Sequence, residues 1–431
     1  MKNKITKSKK DIVPKYWYNI VPFMKKKLKW KIPDLLSAKT KKKMSVSELS
    51  KTLVAELAKQ ELNHAQYLKN EKILIPSEIR KLYQTYRPTP LVRARGLEKY
   101  LKLKNVKIYY KREDVSLIGS YKLNSSYVQA YFAKKEGVHI FVGDTGPGNW
   151  GMGMAVACKK MGVKAVIYME EKNYKKKIKK VRVMEKFGAK VIPVKTKYGT
   201  IAASISKALQ LVNIDPKNKL SLGCLTAYSA LHNSVIGMEL KTQIKNMRIS
   251  PDAFISVVGG GSSFSGFIFP FIEEYMNKSE FIAVESESVP SFTKGKYRYE
   301  NPDVLGLMPK AKMYTLGNKF IPKKELGASG LNYHGKNPLL SLLVNKKIVK
   351  AVSYNHNEVD KLQKIFKKVE GIKPAAESCY AIKGAIEKAK EWNGQNKTII
   401  FCLTGNEENL NIYKRKNRKE FTIKINKEVQ K

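Results

Sequence analysis

Cysteine and histidine are scarce in this sequence. Its 431 residues include four cysteines, none in a C-x-x-C pair, and five histidines without the spacing of metal ligands. We therefore expect free, buried thiols in the cytoplasm, and neither a disulfide framework nor a zinc site. No apolar run reaches the roughly 18 residues of a membrane-spanning helix, and the basic start lacks the apolar segment of a signal peptide. These absences predict no membrane partner.

Arginine is also scarce, although the chain is strongly basic. The net charge is +47, but only 10 of the 83 basic residues are arginine, which leaves 73 lysines spread along the chain. Proteins that read nucleic acids rely on arginine for bidentate contacts. We therefore expect no specific nucleic-acid partner, and only the loose, salt-sensitive binding to RNA that any polycation shows.

The order of apolar segments predicts an α/β fold. A chain of this length with 43% hydrophobic residues is expected to form more than one domain. After a lysine-rich extension, residues 1–45, the segment SVSELSKTLVAELAKQEL predicts a capped amphipathic helix that opens on Ser47. Helix-like stretches then alternate with strand-like runs, which indicates parallel sheets covered by helices. The runs are KIYYK, HIFVGD, AVIYM, KVIPV, AFISVVG, FIAVES and TIIFCLTG.

Two clusters of functional residues lie between a predicted strand and a predicted helix. GSYKLN places Lys122 at a helix start, where free N–H groups favour a nearby phosphate. The same position is expected to lower the pKa of the amine and favour a nucleophile, the alternative being a plain surface lysine. In GDTGPGNWG, residues 143–151, glycines let N–H groups approach an anion such as a substrate carboxylate, unless this is an ordinary turn.

Two further clusters follow apolar strands. GGGSS, residues 259–263, can form a phosphate cradle at a helix start or a flexible turn, and it lacks the G-x-G-x-x-G pattern of a dinucleotide site. CLTGN, residues 402–406, ends the last strand. The hydroxyl of Thr404 can meet a ring nitrogen there, or it can serve as a cap or turn residue.

Taken together and in order, these motifs resemble the tryptophan synthase beta chains. The resemblance runs from about residue 15 to residue 410 and rests on RPTPLVRARGLEKYL, GSYKLN, GDTGPGNWG, GGGSS, FIAVE and EGIKPAAES. More narrowly, WYNI, NWG, FTKGKYRY, KMYTLG and GLNYHG are similar to the second type of these chains. The resemblance implies two three-layer α/β domains with pyridoxal 5'-phosphate (PLP) in the cleft between them.

The resemblance also implies a role for each matched residue. Lys122 would hold PLP as a Schiff base and later move the Cα proton of the substrate. Thr404 would face the pyridine nitrogen, where a neutral hydroxyl favours β-elimination and β-replacement over transamination. Asp144 would assist departure of the serine hydroxyl and guide indole. The remaining contacts would be with the cofactor phosphate (Gly259, Gly260, Gly261, Ser262, Ser263), its 3-oxygen (Asn124), its flank (Glu377) and the substrate carboxylate (Thr145, Gly146, Gly148, Asn149).

The sequence departs from the family pattern at four places. Tyr121 stands where a histidine is usual, Ser263 replaces an asparagine, and Asn406-Glu407-Glu408 replaces a turn rich in glycine or histidine. Asp144 replaces a glutamate, which withdraws the carboxylate by about 1.5 Å. We therefore expect cofactor binding to be retained and the reaction with indole to be slower than in a typical relative.

The family resemblance also predicts how the chain is organised. Residues 46–212 would form the first domain, in which residues 126–212 are a mobile cap and residues 85–122 cross to the other domain. Residues 213–431 would form the second domain with a basic tail. The predicted assembly is a homodimer. The resemblance is compatible with a bound monovalent cation as a second cofactor. It does not decide whether an alpha subunit is a partner.

Three functions remain as hypotheses at this point. The first is the synthesis of tryptophan from L-serine and indole. The second is a related β-elimination or β-replacement, for example by a serine or threonine deaminase. The third is a paralog that has lost catalysis and binds RNA or a protein partner.

Overall fold

Two parallel sheets form the framework of the chain. In the computed structural model, the described residues are 12–195, 200–322 and 327–407. All seven predicted strands are present, and the predicted α/β class is confirmed. The strands are β1 Tyr16–Tyr18, β2 Lys72–Leu74, β3 Leu91–Arg93, β4 Val106–Arg112, β5 Ile140–Thr145, β6 Lys164–Glu170, β7 Lys190–Val194, β8 Lys219–Ser221, β9 Ala253–Val257, β10 Glu280–Ser286, β11 Lys296–Glu300, β12 Ala311–Thr315, β13 Val349–Tyr354 and β14 Lys397–Leu403.

The larger sheet has six strands in the order β13-β10-β9-β14-β4-β3, and the smaller has four in the order β7-β6-β5-β8. All neighbours are parallel except β3 and β4. Strand β4 comes from the first half of the chain but pairs with β14, the last described strand. The remaining strands form two short antiparallel pairs, β1 with β2 and β11 with β12.

Helices cover both sheets. Their bounds are α1 Val21–Lys26, α2 Val46–Ser50, α3 Ala55–Glu61, α4 Gln66–Lys69, α5 Ser77–Tyr83, α6 Arg95–Tyr100, α7 Leu123–Lys135, α8 Asn149–Met161, α9 Glu171–Lys176, α10 Ile178–Lys186, α11 Ile201–Val212, α12 Ala227–Met247, α13 Ser262–Tyr275, α14 Pro338–Asn345, α15 His356–Glu370 and α16 Ala376–Glu391. Single 3-10 turns occupy Glu113–Val115 and Ser329–Leu331. In the described ranges we found no helix with the length and apolar content that crossing a membrane requires.

The first amphipathic segment differs from its prediction. The expected single helix from Ser47 is two short helices, α2 and α3. The cap is Ser45, whose hydroxyl accepts the backbone N–H of Glu48 while the Glu48 carboxylate accepts the N–H of Ser45. This reciprocal pair fixes the helix start two residues earlier than the apolar spacing suggested.

The core explains why the six-stranded sheet is covered on both sides. Alternate residues of each strand point to opposite faces. Along β14, Ile399 and Phe401 belong to one apolar cluster, whereas Ile400 and Cys402 belong to the other. A sheet that is apolar on both faces must bury both, which gives the layers helix, sheet and helix.

The predicted functional clusters follow strands β4, β5, β9 and β14. In parallel sheets the carboxyl ends of the strands meet at one edge, where ligands gather. The two sheets therefore bring the four clusters together at the edge where the chain turns from strand to helix. The predicted domain boundaries at residues 46, 212 and 213 stay a prediction.

Candidate active site

One cleft gathers most of the predicted site residues. It encloses about 820 Å³, including its open mouth, and eleven of the fourteen predicted residues line it. These are Lys122, Asp144, Thr145, Gly146, Asn149, Gly259, Gly260, Gly261, Ser263, Glu377 and Thr404. The other three, Asn124, Gly148 and Ser262, do not line the cleft.

Lys122 caps helix α7 and directs its amine into the cleft. Its Nζ donates to the backbone oxygen of Gly223 at 2.5 Å and lies 5.0 Å from the ring centre of Tyr121 and 5.9 Å from that of Trp150. The backbone beside it is tied to the last strand, because the N–H of Tyr121 donates to the oxygen of Thr404 at 3.1 Å. The amine is thus held at a fixed place between the two sheets.

The pKa of Lys122 differs from its prediction. Burial lowers the pKa of the ammonium, but the neighbouring Tyr121, Cys224 and Asp144 groups together raise it more, so the net shift is upward. The expectation of a lowered pKa at the helix start was wrong, because it ignored these neighbours. At neutral pH the free Lys122 amine therefore holds its proton.

The glycine turn at residues 259–261 leaves no room for side chains. A Cβ on Gly259 would lie 2.8 Å from the Gly330 oxygen, and one on Gly260 would lie 2.7 Å from the Cys224 sulfur. Gly261 has a φ of +108° and stands immediately before helix α13, which has 14 residues. Because the first N–H groups of a helix lack partners within it, the turn presents donors suited to an anion.

The turn after β5 has a related form. Gly148, with a φ of +92°, precedes helix α8, and the N–H of Gly151 donates to the Thr145 hydroxyl at 3.1 Å. Asn149 lines the cleft, and its side-chain oxygen accepts the Lys180 ammonium at 2.7 Å. Lys180 was not predicted as a site residue, because nothing in the sequence separates it from the many surface lysines around it.

Asp144 is the carboxyl group with an altered pKa in this cleft. The residue is only 6% exposed. Burial raises its pKa to about 7, and the positive charge of Lys122 opposes part of that rise. Near neutral pH the Asp144 carboxyl can therefore both hold and release a proton, which is the property of an acid–base group.

Thr404 and Glu377 form the opposite wall. The Thr404 and Ser378 hydroxyls lie 2.9 Å apart, and Ser378 also accepts the N–H of Gly405 at 3.1 Å. The Glu377 carboxylate accepts the N–H of Gly330 at 2.9 Å. These bonds join the start of α16 to the end of β14 and to the 3-10 turn at residues 329–331.

Asn124 lies in a buried network beside the cleft. Its side-chain amide donates to Glu113 at 3.1 Å, and its side-chain oxygen accepts from Tyr86 at 2.8 Å and Arg87 at 3.1 Å. Arg87 also pairs with Glu239. The amide is therefore already bound by protein groups and does not reach into the space that the other residues share.

The four departures from the family pattern differ in their surroundings. Tyr121 and Ser263 line the cleft, and the Asn406 amide donates to the Asp114 oxygen at 3.0 Å. Glu407 pairs with Lys177 at 3.6 Å, and Glu408 lies outside the described residues. Of the four free cysteines, three are buried and Cys224 lines the cleft.

Further lining residues were missed by the sequence analysis. They come from loops and helix starts that carry no apolar periodicity: Ile201, Gly223, Cys224, Leu331 and Tyr333. Trp150, which belongs to the predicted cluster of residues 143–151 but had no assigned role, also lines the cleft. Within the described ranges we found no group of three or more His, Cys, Asp or Glu residues placed to hold a metal ion.

Comparisons with known proteins identify the family of this chain. Residues 82–405 match the family model described as pyridoxal-phosphate dependent enzyme. The chain is similar to tryptophan synthase beta chain 2 of Pyrococcus furiosus, at 39% identity over 91% of this chain and 90% of the relative. The corresponding protein of Thermotoga maritima is 38% identical over 92% of this chain and 96% of the relative.

A solved structure shows the same fold. The crystal structure of a threonine deaminase from T.th. superposes with a TM-score of 0.59 over 77% of this chain and 97% of that chain, at 17% identity. That likeness supports the fold of two α/β domains with the cleft between them. The chain belongs to the pyridoxal-phosphate dependent enzymes and, among them, to the family of the tryptophan synthase beta chains.

Proposed function

We propose that the chain makes L-tryptophan from L-serine and indole by a PLP-dependent β-replacement. Its relatives at 38–39% identity are named tryptophan synthase beta chains. The observation that carries the proposal is that an amine, a glycine turn and a carboxyl with a near-neutral pKa all face one cleft: Lys122, Gly259–Gly261 and Asp144.

The residues of the cleft fit PLP. The cofactor has a phosphate, an aldehyde and a ring nitrogen. The glycine turn before α13 offers a cradle that a single Cβ would fill, Lys122 offers the amine, and Thr404 offers a neutral hydroxyl. When bound, PLP supplies an aldehyde that captures amines and a ring that withdraws electrons from the substrate Cα.

Lys122 is the group that would hold the cofactor and handle the Cα proton of the substrate. The Gly223 oxygen holds its Nζ at the cleft wall. The Lys122 amine would be placed to accept the proton from the substrate Cα and to return it after the second bond has formed.

The end of β5 and the turn after it bind the substrate and supply its acid. Thr145, Gly146, Gly148 and Asn149 hold the serine carboxylate. Gly148 does so indirectly: it does not line the cleft, but its positive φ lets the backbone turn into helix α8. Asp144, with a pKa of about 7, gives a proton to the departing serine hydroxyl. The resulting carboxylate then faces the incoming indole and accepts its proton.

The other cofactor contacts follow from the walls of the cleft. Gly259, Gly260, Gly261 and Ser263 would hold the phosphate, and Ser262 would support them from the first turn of α13, where its hydroxyl lies 3.4 Å from that of Tyr121. Glu377 would contact the cofactor from the opposite wall of the cleft. We propose no direct cofactor contact for Asn124, because Glu113, Tyr86 and Arg87 occupy its side chain.

Residues 126–212 act as a cap that closes over the substrate. The support for this proposal is the Lys177–Glu407 ion pair of 3.6 Å, which joins this segment to the chain after β14. The two side chains are 30% and 27% exposed, so the pair can break when the cleft opens. Closure would keep water away from the reacting carbon.

The homodimer and the cytoplasm are part of the proposal. Leu305 and Leu307 are 58% and 44% exposed and offer apolar surface on one segment for a second copy. All four cysteines are free, as expected in a reducing compartment. Light scattering of the purified protein tests the homodimer, and addition of a candidate alpha subunit tests for a further partner.

A product assay tests the function. The holoenzyme is incubated with L-serine, with and without indole, and tryptophan and pyruvate are measured. Tryptophan that appears only with indole supports the proposal. Pyruvate as the sole product in both samples would instead indicate a deaminase, and no serine consumption would indicate a chain without catalysis.

A further inference from the structure

A lysine that water cannot reach lies directly behind the glycine turn. Lys336 is 0% exposed and sits between β12 and α14. Its Nζ donates to the backbone oxygen of Val258 at 3.2 Å and pairs with the Glu285 carboxylate at 3.3 Å. Val258 is the residue immediately before Gly259, so the ammonium holds the point at which β9 becomes the turn.

Other groups complete the setting of this ammonium. The Glu285 carboxylate also accepts the N–H of Phe292 at 3.1 Å and the N–H of Thr293 at 2.8 Å. The ring centre of Phe292 lies 5.6 Å from the Lys336 Nζ. Both charges of the buried pair are thus compensated, which such a pair requires when it is removed from water.

The next residue, Asn337, also hydrogen-bonds to the glycine turn. The N–H of Asn337 donates to the oxygen of Gly260 at 2.7 Å, and its side-chain amide donates to the oxygens of Leu225 and Thr226 at 3.0 Å. Lys336 and Asn337 therefore hold two carbonyl groups of the segment 258–260 from the rear. The shape of the cradle depends on these contacts.

We propose that Lys336 is a positioning residue that acts as a built-in monovalent cation for the cofactor site. A carbonyl oxygen and a carboxylate are the ligands that a small hard cation would take. The amine on the chain's own Lys336 side chain occupies them instead. Burial lowers the pKa of this amine, and the Glu285 carboxylate beside it opposes that shift and favours the charged form. Cofactor binding therefore does not depend on added sodium or potassium. The inference rests on the proposed role of Gly259–Gly261 in holding the cofactor phosphate.

The first experiment uses the unaltered protein. Its affinity for PLP is measured by absorbance titration in potassium, sodium or tetramethylammonium chloride at equal ionic strength. We expect dissociation constants that agree within about twofold. A loss of affinity of about tenfold or more in tetramethylammonium, restored by potassium, would overturn the proposal. The titration needs no catalysis, so it stands even if tryptophan is not the product.

The second experiment removes the ammonium. In tetramethylammonium chloride, Lys336→Met is expected to bind PLP on the order of tenfold more weakly, the scale of one charge-assisted hydrogen bond. Ammonium or potassium ions should restore the affinity by entering the vacated place. Unchanged binding, or weakened binding that no cation restores, contradicts the proposal, because a purely structural lysine would not create a cation requirement.

Two further variants serve as controls. Lys350→Met removes an exposed lysine that pairs with Glu280 at 2.9 Å on the neighbouring strands, and it should change neither the affinity nor its cation response. Lys336→Met combined with Glu285→Gln removes both buried charges, so this variant leaves no uncompensated carboxylate in the core and is measured if the single variant is unstable. This double variant should bind PLP more weakly without any cation response, and a response would contradict the assigned ligands. If neither variant folds, the PLP titration of the unaltered protein in the three salts still tests the proposal.

Discussion

The turn after β5 and the turn after β9 use one backbone form for two tasks. Each follows a parallel strand and ends on a glycine with positive φ, Gly148 at +92° and Gly261 at +108°. Each then opens a helix, of 13 residues in α8 and 14 in α13. Up to this point the two turns offer the same surface, which is a set of backbone N–H groups suited to an anion.

Their side chains make them different. Just before the first turn, the end of β5 places a carboxyl with a pKa of about 7, Asp144, in the cleft itself. The turn after β9 shows the cleft only glycine and serine, and its charged pair, Lys336 and Glu285, is buried behind it. A group that transfers protons to the substrate must face the cleft, whereas a group that fixes the shape of the turn can lie on the side of the turn away from the cleft.

The largest effect on activity is expected from replacing Lys122, whose amine both turns face. Lys122→Ala should lower tryptophan formation by at least about a thousandfold, because the group that holds PLP and moves the Cα proton is gone. Bound PLP should absorb at a longer wavelength than the free cofactor, and this absorbance band should disappear in the variant. In the unaltered protein, borohydride should fix PLP on the peptide that contains Lys122, and labelling of another lysine would refute the assignment.

The second prediction concerns the reach of the Asp144 side chain at the end of β5. Asp144→Glu should raise tryptophan formation relative to serine deamination, by up to about a hundredfold, because it restores roughly 1.5 Å of reach. Asn149→Gln in the same chain should add to the gain, since Asn149 is held by Lys180 and limits how far the turn can shift. Product ratios are measured for both variants. A lower rate in Asp144→Glu would mean that the aspartate suits this turn as it stands.

A matched pair of glycine variants separates the tasks of the two turns. Gly261→Ala and Gly148→Ala both put a side chain at positive φ, which costs roughly 1–2 kcal/mol in each case. Gly261→Ala should weaken PLP binding about tenfold. Gly148→Ala should leave PLP binding intact and raise the KM for serine. Titration with PLP and serine kinetics measure the two effects, and equal effects of the two variants on PLP would contradict the division.

The smallest effect is expected from pH. Because burial raises the pKa of Asp144 to about 7, the acid form is lost as pH rises through that value. Serine consumption should fall about fivefold between pH 7 and 8. The rate of Asp144→Asn, lower throughout, should lack this fall. A profile of the unaltered protein that stays flat through pH 7 would exclude Asp144 as the acid.

The same pKa has a consequence for stability. The folded chain keeps a proton on Asp144 that an unfolded chain releases above the ordinary pKa of 3.8. The contribution of Asp144 is therefore fully present below pH 3.8 and is lost as pH rises to about 7. In Asp144→Asn this loss is absent, so thermal unfolding midpoints of the two proteins should converge toward low pH.

Apolar runs predicted the main strands well, because a buried parallel strand is apolar throughout. Strands β3 and β8 were missed since three residues carry no pattern, and β13 was missed since most of it is only half-buried. The site residues could be predicted where their sequence clusters directly follow a strand. The role of Lys336 could not be predicted, because the sequence does not distinguish a buried lysine from an exposed one in a chain with 73 lysines.

The position of β14 also matters while the protein is being made. This strand comes last among those described, yet it lies between β9 and β4 in the interior of the larger sheet. Until residue 403 has left the ribosome, β4 and β9 each present an unpaired edge to the surroundings. Translation at about 5–20 residues per second leaves those edges exposed for many seconds, during which pairing with other chains competes with folding. A chaperone that shields nascent chains should therefore raise the yield of this protein.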